Sequence, residues 1–144
     1  FKNVFYFYTN YNSKKAKEIE ANNNVTLTFF WPELERQIRI EGIVFKAPDE
    51  KSDAYFKLRP RDSQIGAWSS PQSKKILNRG VLDELLQITN SVLEGKEIQR
   101  PDYWGGYVIH ANYYEFWQGR KNRLHDRICY TLENNNWKIE RLAP

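Results

Sequence analysis

The chain of 144 residues has no methionine, one cysteine (Cys129) and two histidines, His110 and His125. A lone cysteine excludes an internal disulfide and suits a reducing, cytoplasmic setting, where a buried thiol serves as a small hydrophobe. Two dispersed histidines and one thiol offer no ligand spacing for zinc, and the carboxylates follow no calcium-loop pattern, so no metal is expected. No apolar run approaches the ~20 residues that span a bilayer and no signal-like segment opens the chain, so no membrane association is expected. G-x-S-x-G is missing, which leaves a serine nucleophile unsupported, and Gly105-Gly106 lacks the Lys-Ser or Lys-Thr of a phosphate loop. With no methionine at its start, Phe1-Lys2-Asn3-Val4 runs straight into an apolar stretch, so we expect the natural protein to extend upstream.

What is present describes a globular domain. A hydrophobic content of 40%, with 15% aromatic, is enough for a real core, and the length is that of a single domain covering 1–144. The 22 Lys and Arg against 18 Asp and Glu give a formal +4, spread without a solid basic block. That balance favours small anionic ligands at least as much as nucleic acid, and no RNA-binding signature accompanies it; no nucleic-acid partner is expected.

The periodicities predict mixed structure. Val4 to Thr9 is a β-branched and aromatic run stopped by Asn10-Tyr11-Asn12, hence a strand. Ser13 stands as N-cap to a helix over 14–21 with Ala16 and Ile19 as its apolar stripe. Strands over 25–31 and 37–45 flank the Trp31-Pro32 break and suit hairpin pairing. Helices are predicted over 48–58 and 80–94, the second laying its stripe on the sheet, with a short helix or turn over 61–68. Strands follow at 107–111, 115–118, 127–132 and 137–142, the last two paired across Asn134-Asn135-Asn136. Antiparallel strands with helices outside indicate an α+β barrel.

Three groupings have chemical potential. Arg123-Leu124-His125-Asp126-Arg127 would, along a strand, project Arg123, His125 and Arg127 from one face; two guanidiniums and an imidazole suit an anionic aromatic ligand, or form a solvated face laced with ion pairs. Ser13, Lys14 and Lys15 lie at a helix N-terminus, which favours an anion, or they are an ordinary cap followed by solvated lysines. Tyr55, Arg59 and Ser63 recur at intervals of four along a helix-and-turn surface, a plausible phosphate cradle unless Arg59 pairs with nearby Asp62. His110, in an apolar strand, reads as a structural histidine.

Six ordered blocks carry a resemblance: YFYTNYNSKKAKEIE over 6–20, LERQIRIEG over 34–42, RPRDSQIGAWSSPQS over 59–73, WGG at 104–106, EFWQG at 115–119, and RLHDR, Trp137 and ERLAP to the end. In this order and spacing the sequence resembles the pyridoxamine 5'-phosphate oxidase family. The resemblance implies an FMN-binding split β-barrel with flanking helices, its 104–144 segment forming a family-specific region for dimerisation and substrate. It implies FMN contacts at Tyr8, Thr9, Lys14, Lys15, Gln37, Gln72, Ser73, Trp117 and Arg127, some reaching the cofactor from a second subunit, hence a homodimer. Read without it, Tyr8 and Trp117 are core residues and Gln37 a sheet-surface amide. Lys14 departs from the family's more usual arginine, exchanging a planar fork for a point charge.

For the substrate the resemblance implies a phosphate held by Tyr55, Arg59 and Ser63 and a pyridine gripped by Arg123 and His125, the last two with a possible share in catalysis. The implied reaction is oxidation of pyridoxamine 5'-phosphate and pyridoxine 5'-phosphate to pyridoxal 5'-phosphate, with O2 as acceptor and H2O2 released. In the family a preceding strand supplies an arginine and a lysine to the two phosphates, without counterparts here. The alternative is a flavin-binding split-barrel protein that keeps the cofactor but not turnover.

Overall fold

Side chains acting on the backbone build the first turn of the chain. In a computed structural model, which describes residues 4–144, strand β1 (Val4–Asn10) ends where Asn10 Oδ1 accepts the Asn12 N–H at 2.7 Å. Residues 1–3, read from the sequence as leading straight into this strand, lie outside the described residues. Ser13 Oγ then accepts the Ala16 N–H at 3.3 Å, satisfying one of the free donors that open helix α1 (Lys14–Ala21). Ser13 and Ala16 are fully buried, so the cap is also a packing contact.

Strands β2 (Asn24–Trp31) and β3 (Arg36–Lys46) pair antiparallel, with Asn24 opposite Ile43 and Trp31 opposite Arg36. Between them a single 3-10 turn starts at Pro32 and closes on Glu35 in the left-handed region (φ 48). Burial in β3 falls on Ile40, Gly42 and Val44, the period expected of a half-buried strand. At Gly42 an added Cβ would strike the His110 carbonyl and come within 2.9 Å of Ala111 Cα, so this position lets two backbones cross.

Helices α2 (Asp49–Leu58), α3 (Arg61–Ser69) and α4 (Arg79–Leu93) follow, α2 and α3 each opening just after a proline, Pro48 and Pro60. Strands β4 (Trp104–Gln118), β5 (Asp126–Glu133) and β6 (Asn136–Leu142) complete the chain. The six strands form one sheet in the order β2-β3-β4-β5-β6, with β1 pairing to β4. The fold is therefore α+β, and among the described residues no helix is long and apolar enough to cross a membrane.

Three expectations are corrected. The strands read at 107–111 and 115–118 are one strand of 15 residues, because Tyr113 and Tyr114 continue the ladder opposite Thr131 and Tyr130. Helix α4 packs along α3 rather than being defined by a seat on the sheet, and none of its residues is fully buried. Arg123, His125 and Arg127 do not share a strand face: Lys121–Arg123 is a 3-10 turn, Asn122 and Arg123 take positive φ (58 and 60), and β5 begins only at Asp126. The β5–β6 hairpin turns at Asn134 and Asn135, both left-handed (φ 49 and 63), the conformation a two-residue hairpin loop requires and asparagine tolerates.

The chain divides into two compact units. One is built of 22–44 and 109–144 with the start of β1, and is almost wholly β. The other, 6–21 and 45–108, carries the four helices around a cluster of Phe56, Ile65, Ala67, Ile98 and Trp104. Gly106 belongs to this second unit, where an added Cβ would lie 2.9 Å from the Tyr8 ring; close ring packing accounts for a glycine there.

Candidate functional site

In the helical unit, the site grows from the break between α2 and α3. Tyr55 and Arg59 were read as one helical face, but Pro60 disfavours helix at the residue before it, and Arg59 is extended (φ −70, ψ 144). The extended backbone turns its guanidinium over aromatic rings: Arg59 Cζ lies 4.7 Å from the Trp104 ring centroid and 5.8 Å from that of Phe56. The anticipated alternative, an Arg59–Asp62 ion pair, is not formed among the described residues. Arg59 Nη1 is instead buried without a hydrogen-bond partner, and burial pushes the guanidinium below the ordinary arginine value. It lines a cavity of about 230 Å³ together with Asn10, Ser63, Ser70, Gln72 and Trp104.

The neighbouring expected residues join this cluster. Tyr8 stacks on Tyr55 with centroids 3.8 Å apart and planes within 7°, bringing an expected cofactor residue against an expected substrate residue. Gln72 Oε1 accepts the Asn10 N–H at 3.2 Å and the Thr9 hydroxyl at 3.4 Å, and Thr9 Oγ1 in turn accepts from Lys15 Nζ at 3.3 Å. Ser73, next along, is exposed with φ 67. Lys14 points into solvent, its side chain 81% exposed and 3.6 Å from Glu18.

In the β unit the chemistry is the reverse. Glu115, its side chain 7% exposed, takes Arg127 Nε on Oε1 at 2.7 Å and Arg39 Nη2 on Oε2 at 2.8 Å. Arg127 also donates to the Ala143 carbonyl at 3.1 Å, while Arg39 bonds Glu41 as well. The Arg127 and Arg39 guanidiniums hold the Glu115 carboxyl at about 2, well below the usual carboxylate range. Glu115 was not singled out from sequence; its signal, an acid inside an aromatic strand, acquires meaning only once strand register places Arg127 beside it.

A second cavity of the β unit, about 530 Å³, is lined by Gln37, Trp117, Trp31, Phe116, Gln118 and Arg120 among others. Gln37 and Trp117, expected as flavin contacts, thus meet here. The Trp117 and His125 rings are 4.8 Å apart, and His125 Nδ1 accepts the Arg120 N–H at 3.1 Å. Asp126 pins the same loop, taking Arg120 Nε at 2.7 Å and Arg141 Nη1 at 2.6 Å. Arg123 is exposed beside it.

Comparison with known proteins decides what these residues belong to. Residues 2–84 match the family model described as pyridoxamine 5'-phosphate oxidase, and 104–144 match the pyridoxine 5'-phosphate oxidase C-terminal dimerisation region. A pyridoxine/pyridoxamine 5'-phosphate oxidase of Leptospira biflexa is 55% identical over 99% of this chain and 68% of its own length. The chain belongs to the pyridoxine/pyridoxamine 5'-phosphate oxidase family. A relative of the same name from Rubrobacter xylanophilus is 50% identical over 97% of the chain and 64% of its own, so the chain spans about two thirds of such relatives. Among solved structures, PhzG from Burkholderia lata, in complex with tetrahydrophenazine-1-carboxylic acid, superposes with a TM-score of 0.88 at 26% identity, covering 96% of this chain and 68% of that one. A pyridoxamine 5'-phosphate oxidase-related, FMN-binding protein from Nostoc punctiforme shares the fold, with a TM-score of 0.75 at 15% identity, covering 99% of this chain and 74% of that one. The fold is that of FMN-binding split-barrel proteins, and membership of this oxidoreductase family implies a flavin cofactor. The lining of the 530 Å³ cavity, with an amide and an indole among its groups, is chemically suited to a flat ring.

Proposed function

We propose that the protein oxidises pyridoxamine 5'-phosphate and pyridoxine 5'-phosphate to pyridoxal 5'-phosphate, with FMN and O2. The observation that carries this reading is Arg59: a half-buried guanidinium whose Nη1 is buried and unpartnered, beside a 230 Å³ cavity that also holds the Ser63 hydroxyl. Such a group costs stability unless it meets an anion, and a phosphate monoester presents the acceptors its planar fork fits. Tyr55 and Ser63 complete the phosphate site, and Arg123 and His125 take the pyridine ring.

When bound, FMN would supply the hydride acceptor and the route of the electrons to O2, giving H2O2. The alcohol yields the aldehyde directly; the amine yields it with uptake of water and release of ammonia. Gln37, Trp117 and Arg127 would serve the ring and its edge, Lys14 and Lys15 the FMN phosphate, and Tyr8, Thr9, Gln72 and Ser73 would be further flavin contacts. The chain's contribution is placement: phosphate and ring are both fixed before the bond to hydrogen breaks. We also propose a homodimer through the 104–144 segment, supported by the description of the matching family region and by the exposed Phe116, Leu124 and Ile139 within it.

The test is peroxide release by the purified, upstream-extended, flavin-loaded protein. Turnover of both phosphorylated substrates, with little on unphosphorylated pyridoxamine, is the expected result. Bound flavin without peroxide would establish the non-catalytic alternative. Turnover only of a tetrahydrophenazine carboxylate, the class of ligand seen with the Burkholderia lata protein, would move the chain to that branch.

A further inference from the structure

Other arginines of the protein are held by carboxylates, as Glu115 holds Arg127 and as Asp49 and Asp53 hold Arg100. Among the described residues Arg59 has no such partner, and two residues on, Arg61 spends its guanidinium on the backbone carbonyls of Leu93 and Lys96. What lies against Arg59 is the face of Trp104, 4.7 Å from Cζ, with Phe56 behind it. Trp104 is itself held fast. It is 6% exposed, its N–H donates to the Pro101 carbonyl at 2.9 Å, and its own carbonyl accepts Arg100 Nη1 at 2.6 Å. The Phe56 ring meets it edge-on at 5.2 Å, and the stacked Tyr55 and Tyr8 rings lie nearly parallel to it at 6.3 and 5.8 Å.

We infer that Trp104 is the positioning residue of the substrate-phosphate site: its indole face orients the Arg59 guanidinium toward the cavity while leaving the guanidinium's N–H donors unspent. This rests on the reading of Arg59 given above and extends it to a residue that touches no substrate. The physical argument is one of competition. A carboxylate in this place would neutralise Arg59 and have to be displaced by each incoming phosphate, whereas a π-face attracts the cation without accepting its in-plane hydrogen bonds. Trp offers the most negative face of the aromatic side chains, and a desolvated cation is where that attraction is largest. The wall of the same cavity is built of neutral donors and acceptors, Ser63, Ser70, Gln72 and Asn10, so within it the guanidinium is the charged group.

The experiment compares binding of pyridoxal 5'-phosphate and of unphosphorylated pyridoxal to the full-length, flavin-loaded protein and its Trp104→Leu, Trp104→Phe and Arg59→Ala variants, followed by ligand absorbance. Trp104→Leu should weaken pyridoxal 5'-phosphate by about tenfold, leave pyridoxal and flavin content unchanged, and raise KM for phosphorylated substrate far more than it lowers kcat. Trp104→Phe, which keeps a weaker π-face, should lose about threefold, and decides the matter by itself if the leucine variant does not hold its fold. In the Arg59→Ala background Trp104→Leu should add nothing, because the indole acts only through the guanidinium. Equal weakening of both ligands, or additive losses in the double variant, would mean that Trp104 is merely core. A wild-type protein that binds pyridoxal as tightly as its phosphate would overturn the assignment of Arg59 itself, and the inference with it.

Discussion

Arg59 and Arg127 show two settings for a half-buried guanidinium. Arg127 is answered by a carboxylate on the adjacent strand: Glu115 accepts from it at 2.7 Å and from Arg39 at 2.8 Å, so the charges of the β unit close on themselves. Arg59, in the helical unit, is answered only by rings and a cavity. The first arrangement is neutralised within the protein and contributes to stability; the second is not and stores affinity. Buried ion networks become costly when one member is removed, whereas an unpartnered donor becomes favourable when one is added.

The largest effect is expected where the closed network is opened. Glu115→Ala leaves Arg39 and Arg127 facing each other without their shared acid and should cost about 3 kcal/mol of stability, read as a lowered denaturant midpoint. Acid should do the same reversibly. The Glu115 carboxyl is held at about 2 in the folded protein against an ordinary value of 4.5, so its contribution is fully present above pH 4.5 and is lost as pH falls toward 2. An acid-unfolding curve for Glu115→Gln should be flatter over that window; a curve identical to the wild type's would remove Glu115 from the account.

Opening the other arrangement should leave the fold alone and strike the ligand. Arg59→Ala should raise KM for phosphorylated substrate by one to two decades, the loss of a charge-assisted hydrogen bond worth ~1.5 to 3 kcal/mol, with flavin content unchanged. Loss of flavin from a folded variant would mean that Arg59 serves the other phosphate. The smallest and sharpest change converts one arrangement into the other. Ser63→Asp puts a carboxylate into the Arg59 cavity and should weaken phosphate binding at least as much as a lost hydrogen bond does, about tenfold, while raising thermal stability slightly or not at all. Undiminished affinity in that variant would show that Arg59 is not the phosphate's partner.

Where local chemistry determines local structure, the sequence was legible. Ser13 caps α1 as its position suggested, β3 alternates as Ile38 and Ile40 imply, and the asparagines of the last hairpin take the left-handed turn. Periodicity misled where it was carried through a break. Intervals of four joined Tyr55, Arg59 and Ser63 across Pro60, which ends one helix and starts another, and intervals of two joined Arg123, His125 and Arg127 across a turn. The cavity still gathers Arg59 with Ser63, but through an extended residue and not a helical face. Glu115 and Trp104 were hidden for a different reason. An acid among aromatics and a tryptophan before two glycines acquire roles only from residues distant in sequence, Arg39 and Arg127 for the one and Arg59 for the other.

The loop between β4 and β5 also bears on how the His125 ring is oriented. His125 Nδ1 accepts the Arg120 N–H at 3.1 Å, and a nitrogen that accepts carries a lone pair. The bond thereby assigns the tautomer of the neutral ring, with its hydrogen on Nε2. The nitrogen left to meet a ligand is then a donor. On the function proposed above, a neutral His125 held in this way would offer its ligand a donor at Nε2.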